Sequence, residues 1–180
     1  MNAPSKKLIR SIAPALVLLP LIATAGDSAT PLIDQVRSAT QQYLDINVAT
    51  RDEFVQGTPC VSGPDAGAMG VHFVRPDRIN SLVLDVTQPQ ALIYEPMADG
   101  AMRLVGVEYI VLDQNWSAVN PPGTVPALQG NLLNYVAYPN RYGLQAFWEI
   151  HVWAWQNNPK GSYADWNTQV TCANQPLPRS

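Results

Sequence analysis

The amino-acid sequence predicts an α+β fold: a curved antiparallel sheet, or a partly closed β-barrel, with N-terminal helices packed on it. Three observations carry this. The apolar spacing is helical over residues 31–45 and becomes alternating from residue 70 onward. Four later segments are rich in Val, Ile, Tyr and Trp, as strands are. The turns between some of them are too short for a crossover, so neighbouring strands run antiparallel.

The first helix is predicted over residues 31–45. Thr30-Pro31 supplies an N-cap and N1 pair, and Leu32, Val36, Ala39 and Tyr43 follow at helical spacing, widened by Ile33 and Leu44. Thr50 with Glu53 three residues later reads as a capping box, so a second short helix is expected from there to Gly57. Gly63, Pro64, Gly67 and Gly70 punctuate a turn-rich loop. Strands are expected at residues 70–74, 91–95, 103–112 and 146–155, the second and third joined as a hairpin through Asp99-Gly100. Residues 113–145 are broken by Pro121-Pro122-Gly123, Pro126 and Pro139 and read as a long excursion, with one helical turn near residues 128–135. Such a segment is either a lid or binding loop, or surface decoration.

The N-terminus places Lys6, Lys7 and Arg10 before an apolar run of residues 12–22 and then Ala23-Thr24-Ala25, a small-x-small cleavage site. That order is the pattern of a secretory signal peptide. The expectation is a leader over residues 1–25 and one domain over 26–180, secreted or periplasmic. The apolar run is shorter than the ~20 residues a bilayer span needs, so no stable membrane insertion is expected. The leader holds three of the eleven basic residues and no acid, which leaves eight against fourteen, a net charge of −6. With no Lys/Arg cluster, nucleic acid is excluded as a partner, and a small-molecule ligand is the expected one. Oligomeric state has no signature in the sequence. Cys60 and Cys172 are the only cysteines, and an even pair in an exported chain reads as a disulfide. The loop closed would be worth about 4–5 kcal/mol on the chain-entropy model.

Side chains alternate between the faces of a strand, which places the ionisable residues. In residues 103–112 one face carries Leu104, Gly106, Glu108, Ile110 and Leu112, the other Val105, Val107, Tyr109 and Val111. Both are apolar, so the strand is central and Glu108 is buried, where a carboxylate needs a partner. In residues 146–155 the face of Phe147, Glu149, His151, Trp153 and Trp155 holds an acid and an imidazole among aromatic rings. His72 faces away from Val71 and Phe73, and Glu95 ends the strand before Pro96. Both histidines of the chain therefore lie in apolar strands, with Glu95, Glu108 and Glu149 in the same set.

Imidazole and carboxylate donors together suit a divalent Zn, Mn, Fe or Cu ion. The reading is a mononuclear metal site from His72, His151 and Glu108, with Glu95 or Glu149 completing it and Glu108 and Glu149 as candidate catalytic acids or bases. Three alternatives stand beside it: a metal-free functional site of the same histidines and glutamates, histidines satisfied in the core by glutamates, and a non-catalytic module binding a small molecule or carbohydrate in an aromatic pocket of Tyr109, Trp153 and Trp155. GxSxG, Walker and GxGxxG motifs do not occur, so no reaction is named by a local motif.

The segments Cys60-Val-Ser-Gly-Pro, Gly67-Ala-Met-Gly-Val-His72-Phe-Val, Tyr94-Glu95-Pro, Arg103-Leu-Val-Gly-Val-Glu108-Tyr, His151-Val-Trp-Ala-Trp, Asn158-Pro-Lys-Gly and Ala164-Asp-Trp-Asn, ending at Cys172, resemble a family of uncharacterised small exported bacterial proteins. The resemblance spans most of the chain from the first helix to Cys172. It implies export and a disulfide-closed domain, and that His72, Glu95, Glu108 and His151 lie in segments typical of the family. It implies no reaction.

Overall fold

The structure is a computed structural model that describes residues 31–63 and 65–175. The predicted leader and Thr30 lie outside the described residues.

Helix α1 (Leu32–Thr40) buries Leu32, Val36 and Thr40, and the Thr40 hydroxyl donates to the Val36 carbonyl. A 3₁₀ turn (Gln41–Leu44) leads to α2 (Ile46–Arg51). The second helix starts earlier than Thr50: Asp45 is its N-cap, accepting the Asn47 N–H at 2.9 Å. Asp45 is as good a cap as Thr50, and only this start turns Ala49 into the core. Thr50 sits in the last turn, its hydroxyl donating back to the Ile46 and Asn47 carbonyls. Glu53, the supposed partner in a capping box, lies beyond the helix at φ 62°.

Then come β1 (Val55–Gln56), β2 (Val61–Gly63), β3 (Gly67–Val74), the short α3 (Pro76–Ile79), β4 (Ala91–Pro96), β5 (Met102–Leu112) and α4 (Asp113–Ser117). The excursion contains β6 (Ala127–Leu128), β7 (Asn131–Leu132) and β8 (Asn134–Val136), and β9 (Phe147–Val152) follows. The main sheet is antiparallel with order β1-β3-β4-β5-β9-β8, β2 also pairing with β3. It is an open sheet; no closed barrel forms among the described residues. The expected hairpin joins β4 to β5, with Gly100 at φ 84° in its turn. The helical turn expected near residues 128–135 is instead the β6–β7 hairpin plus β8. Gln129 and Gly130 both take positive φ, the geometry of a two-residue hairpin turn rather than a helix.

One face of the sheet packs on the helices. Leu92, Tyr94, Val107, Tyr109, Val111, Ile150 and Val152 meet Leu32, Val36, Tyr43 and Ala49 there. The buried tyrosines fasten what covers them: the Tyr94 hydroxyl donates to the Tyr43 carbonyl at 2.7 Å and Tyr109 to Val86 at 2.6 Å. Strict alternation along β5 breaks at one place. Ile93 pairs with Gly106 but Tyr94 with Leu104, so the bulge leaves Val105 as an extra residue. Leu104 thereby joins the helix-side core, while Val105 joins Ala68, Ile93, Trp153 and Val170 on the opposite face. A second departure follows Val152, where the chain leaves the sheet, so residues 153–155 are not strand.

The tail closes over that opposite face. Ala68 and Asn167 exchange backbone hydrogen bonds at 3.1 Å each way. Gly67, at φ 90°, makes this possible, since a side chain there would collide with the Asn167 backbone. Cys60 and Cys172 form the expected disulfide, their Cα atoms 5.6 Å apart across 112 positions.

Candidate metal centre

His72, Glu108 and His151 come from three strands and meet on the face away from the helices. Glu108 stands directly opposite His151 across the β5–β9 ladder and opposite Ala91 across β4–β5. His72 is one strand further out, opposite Ile93 on β4. The strand between them offers only the methyl of Ala91 beside Glu108, which leaves room for the two side chains to converge. His72 Nε2 lies 3.4 Å from His151 Nε2 and 3.6 Å from Glu108 Oε2. The three are buried, and their donor atoms all lie within 4.8 Å of one another.

The far side of each ring is held. Thr58 Oγ1 stands 3.2 Å from His72 Nδ1 and also accepts the His72 backbone N–H. Glu149 Oε2 lies 2.8 Å from His151 Nδ1. That is hydrogen-bond distance, but the two atoms do not meet hydrogen-bond alignment, and the contact is best described as an ion pair. Asp165 adjoins Glu149 and accepts a hydrogen bond from Asn134 at 3.0 Å. Trp153 stacks on the His151 ring, with planes 16° apart. Both rings therefore turn Nε2 to the centre while Nδ1 faces a second polar group, the arrangement that orients histidine ligands in metal sites.

The same burial shifts the protonation of the three side chains. Burial, reinforced by the neighbouring His151, pushes the His72 pKa down to about 3. Burial raises Glu108, with Glu149 and Asp165 adding to the rise and His151 opposing it. Burial alone would lower His151, but the carboxylates of Glu149 and Glu108 outweigh it and hold the ring above its ordinary value. A bound dication would reverse this order, keeping Glu108 ionised and both Nε2 atoms unprotonated.

A cavity of about 340 Å³ opens over His72 and Glu108. Its walls are Val55, Val74, Pro76, Ile79, Leu144 and Phe147, with Tyr142 alongside. Leu144 and Tyr142 belong to the proline-rich excursion, so that segment lines the site.

Other residues expected in the site lie elsewhere. Glu95 is on the same sheet face but further along β4, where it pairs with Arg103 and accepts the Thr171 N–H at 3.0 Å, fastening the tail. Glu149 stands behind His151 and does not line the cavity. Tyr109 and Trp155 pack with the helix-side core, Trp155 donating to Thr40 Oγ1, while Trp153 lies on the opposite face. The three aromatics share no pocket. Thr58, Tyr142 and Asp165 were not visible as site residues from strand alternation, because all three lie outside the main strands. For Asp165 the one available signal was an acid in the Ala164-Asp-Trp-Asn segment.

Fold and site together define an α+β chain with a buried two-histidine, one-glutamate group that could hold a metal ion. No protein-family model matches the chain, and no curated protein or solved structure matches it.

Proposed function

We propose that this is an exported domain that binds one divalent transition metal through His72, His151 and Glu108 and uses it on a small molecule held in the cavity above. The observation that carries the reading is the 3.4 Å separation of two Nε2 atoms whose outer nitrogens are already engaged. Two nitrogens bound at 2.0–2.1 Å to a tetrahedral ion stand about 3.3–3.4 Å apart, against about 3.0 Å for adjacent octahedral positions. The spacing matches two nitrogens on a tetrahedral ion, the geometry that zinc takes. Three protein ligands leave a position open toward the cavity, as in catalytic rather than structural zinc sites. An ion there supplies Lewis acidity at the floor of an apolar chamber.

Export is supported by the disulfide and by the leader pattern of residues 1–25. No helix among the described residues is long and apolar enough to cross a membrane. The resemblance to small exported bacterial proteins points to the same compartment.

Elemental analysis of untagged protein exposed to each metal in turn tests the proposal. The expected result is one zinc per chain, lost in His72→Ala and His151→Ala while the disulfide-closed fold persists by circular dichroism. Protein that holds no stoichiometric metal under any of the four exposures overturns it.

A further inference from the structure

The cavity's chemistry narrows what the metal would act on, an inference that rests on the metal reading above. Its walls are mostly aliphatic and aromatic, from Val55, Val74, Pro76, Ile79, Leu144 and Phe147, with Thr58 and Asn80 as neutral polar side chains among them. The carboxylate and imidazole that face it, Glu108 and His72, are the metal's own ligands. No lysine, arginine or aspartate lines it. A ligand carrying a charge away from the metal would therefore leave that charge desolvated and unpaired, at a cost of several kcal/mol. At about 340 Å³ the cavity lies at the small end of the ~300–1,000 Å³ range of small-molecule sites.

The head of the ligand follows from charge. A dication bound to two neutral imidazoles and one carboxylate keeps a net charge of +1 among its direct ligands. One anionic oxygen in the open position neutralises it. Glu149, the next acid, is turned to the opposite nitrogen of His151 and cannot fill that position. Tyr142 supplies a donor nearby: its hydroxyl bonds Met69 Sδ at 3.2 Å, a weak acceptor that a carboxylate oxygen would outcompete.

We infer that the cavity takes a small amphiphilic monocarboxylate, its apolar body between α3 and the proline-rich excursion, one carboxylate oxygen on the metal and the other within reach of Tyr142. Nothing else on the ligand is charged.

Calorimetric titration of the zinc-loaded full chain with octanoate, acetate and octan-1-ol tests this. Octanoate is expected to bind at least tenfold tighter than either control, and to lose at least tenfold in Leu144→Trp and Ile79→Trp, which fill the cavity and leave one zinc per chain. Metal-free protein is expected to lose octanoate binding. Zinc bound with octanoate no tighter than acetate or octanol, or with octanoate binding unchanged in both filled variants, overturns the inference and leaves the metal reading standing. Octanoate bound equally well without zinc also overturns it. Failure to bind any metal removes both readings together.

Discussion

The two faces of the central sheet are built from the same strands and differ in kind. Toward the helices, β4, β5 and β9 present Leu92, Tyr94, Val107, Tyr109, Ile150 and Val152, and the only polar atoms among these side chains are tyrosine hydroxyls tied to backbone carbonyls. On the opposite face, β3, β5 and β9 bury His72, Glu108, Glu149 and His151, of which His72 and Glu108 line the cavity. The first face is satisfied by the chain alone. The second gathers two acids and two imidazoles in one buried cluster, with His72 pushed down and His151 and Glu108 pushed up from their ordinary pKa values. The helix side holds the fold together, and the opposite side carries the site.

That contrast can be broken or sharpened by substitution. The largest effect is expected on the helix side. Leu92→Ala should cost about 2–5 kcal/mol in urea unfolding of metal-free protein, because a fully buried leucine leaves a cavity. His72→Ala should cost less under the same conditions, since it also relieves a crowded polar group. Equal losses from the two would abolish the distinction between the faces.

Next in size is the orientation of the ligands. Glu149→Gln should weaken zinc about 10–100-fold in chelator competition with secondary structure unchanged, as removal of a carboxylate behind a ligand histidine does. An unchanged zinc affinity would mean that Glu149 serves the fold and not the site. Smaller again is Tyr94→Phe, which leaves the buried Tyr43 carbonyl without its donor and should cost about 1–3 kcal/mol without touching metal content.

The smallest expected effect is a gradual drift with pH. The folded-state pKa values of His151 and Glu108 are both raised. The stability such groups contribute is complete below their unfolded pKa values and is lost as pH rises through the folded ones. His72, whose pKa is lowered, acts only below its ordinary value of 6.5. Above that point the metal-free protein should melt at progressively lower temperature as pH rises. The increment in melting temperature on adding zinc should grow over the same range, because the ligands must shed protons. A metal-free melting temperature that rises from pH 6.5 to 9 would contradict the assignment of both groups.

Much of this contrast was legible in the residues. Period-two spacing placed His72 away from Val71 and Phe73, and put Glu108 and His151 in strands apolar on both faces. What alternation could not supply was register. Glu108 meets His151 because β5 and β9 pair at that offset, and His72 reaches them over Ala91 because β4 lies between. Glu95 shows the same gap from the other side: it satisfies every local criterion for the site, yet its place on β4 gives it to Arg103 and the tail. Trp155 and Leu104 were assigned the wrong neighbours because strict alternation assumes an unbroken strand, and β9 ends at Val152 while β5 carries a bulge at Val105.

The sequence by itself determined that the chain is α+β, that Cys60 and Cys172 pair, and that two histidines and Glu108 are buried. These depend on local period, composition and count, which neighbours along the chain fix. Tertiary structure alone decided that the three donors converge, that Thr58 and Glu149 aim the rings, and that α3 and the proline-rich excursion wall a cavity above them. Those outcomes depend on strand register and loop docking, which arise from contacts between residues far apart in the chain.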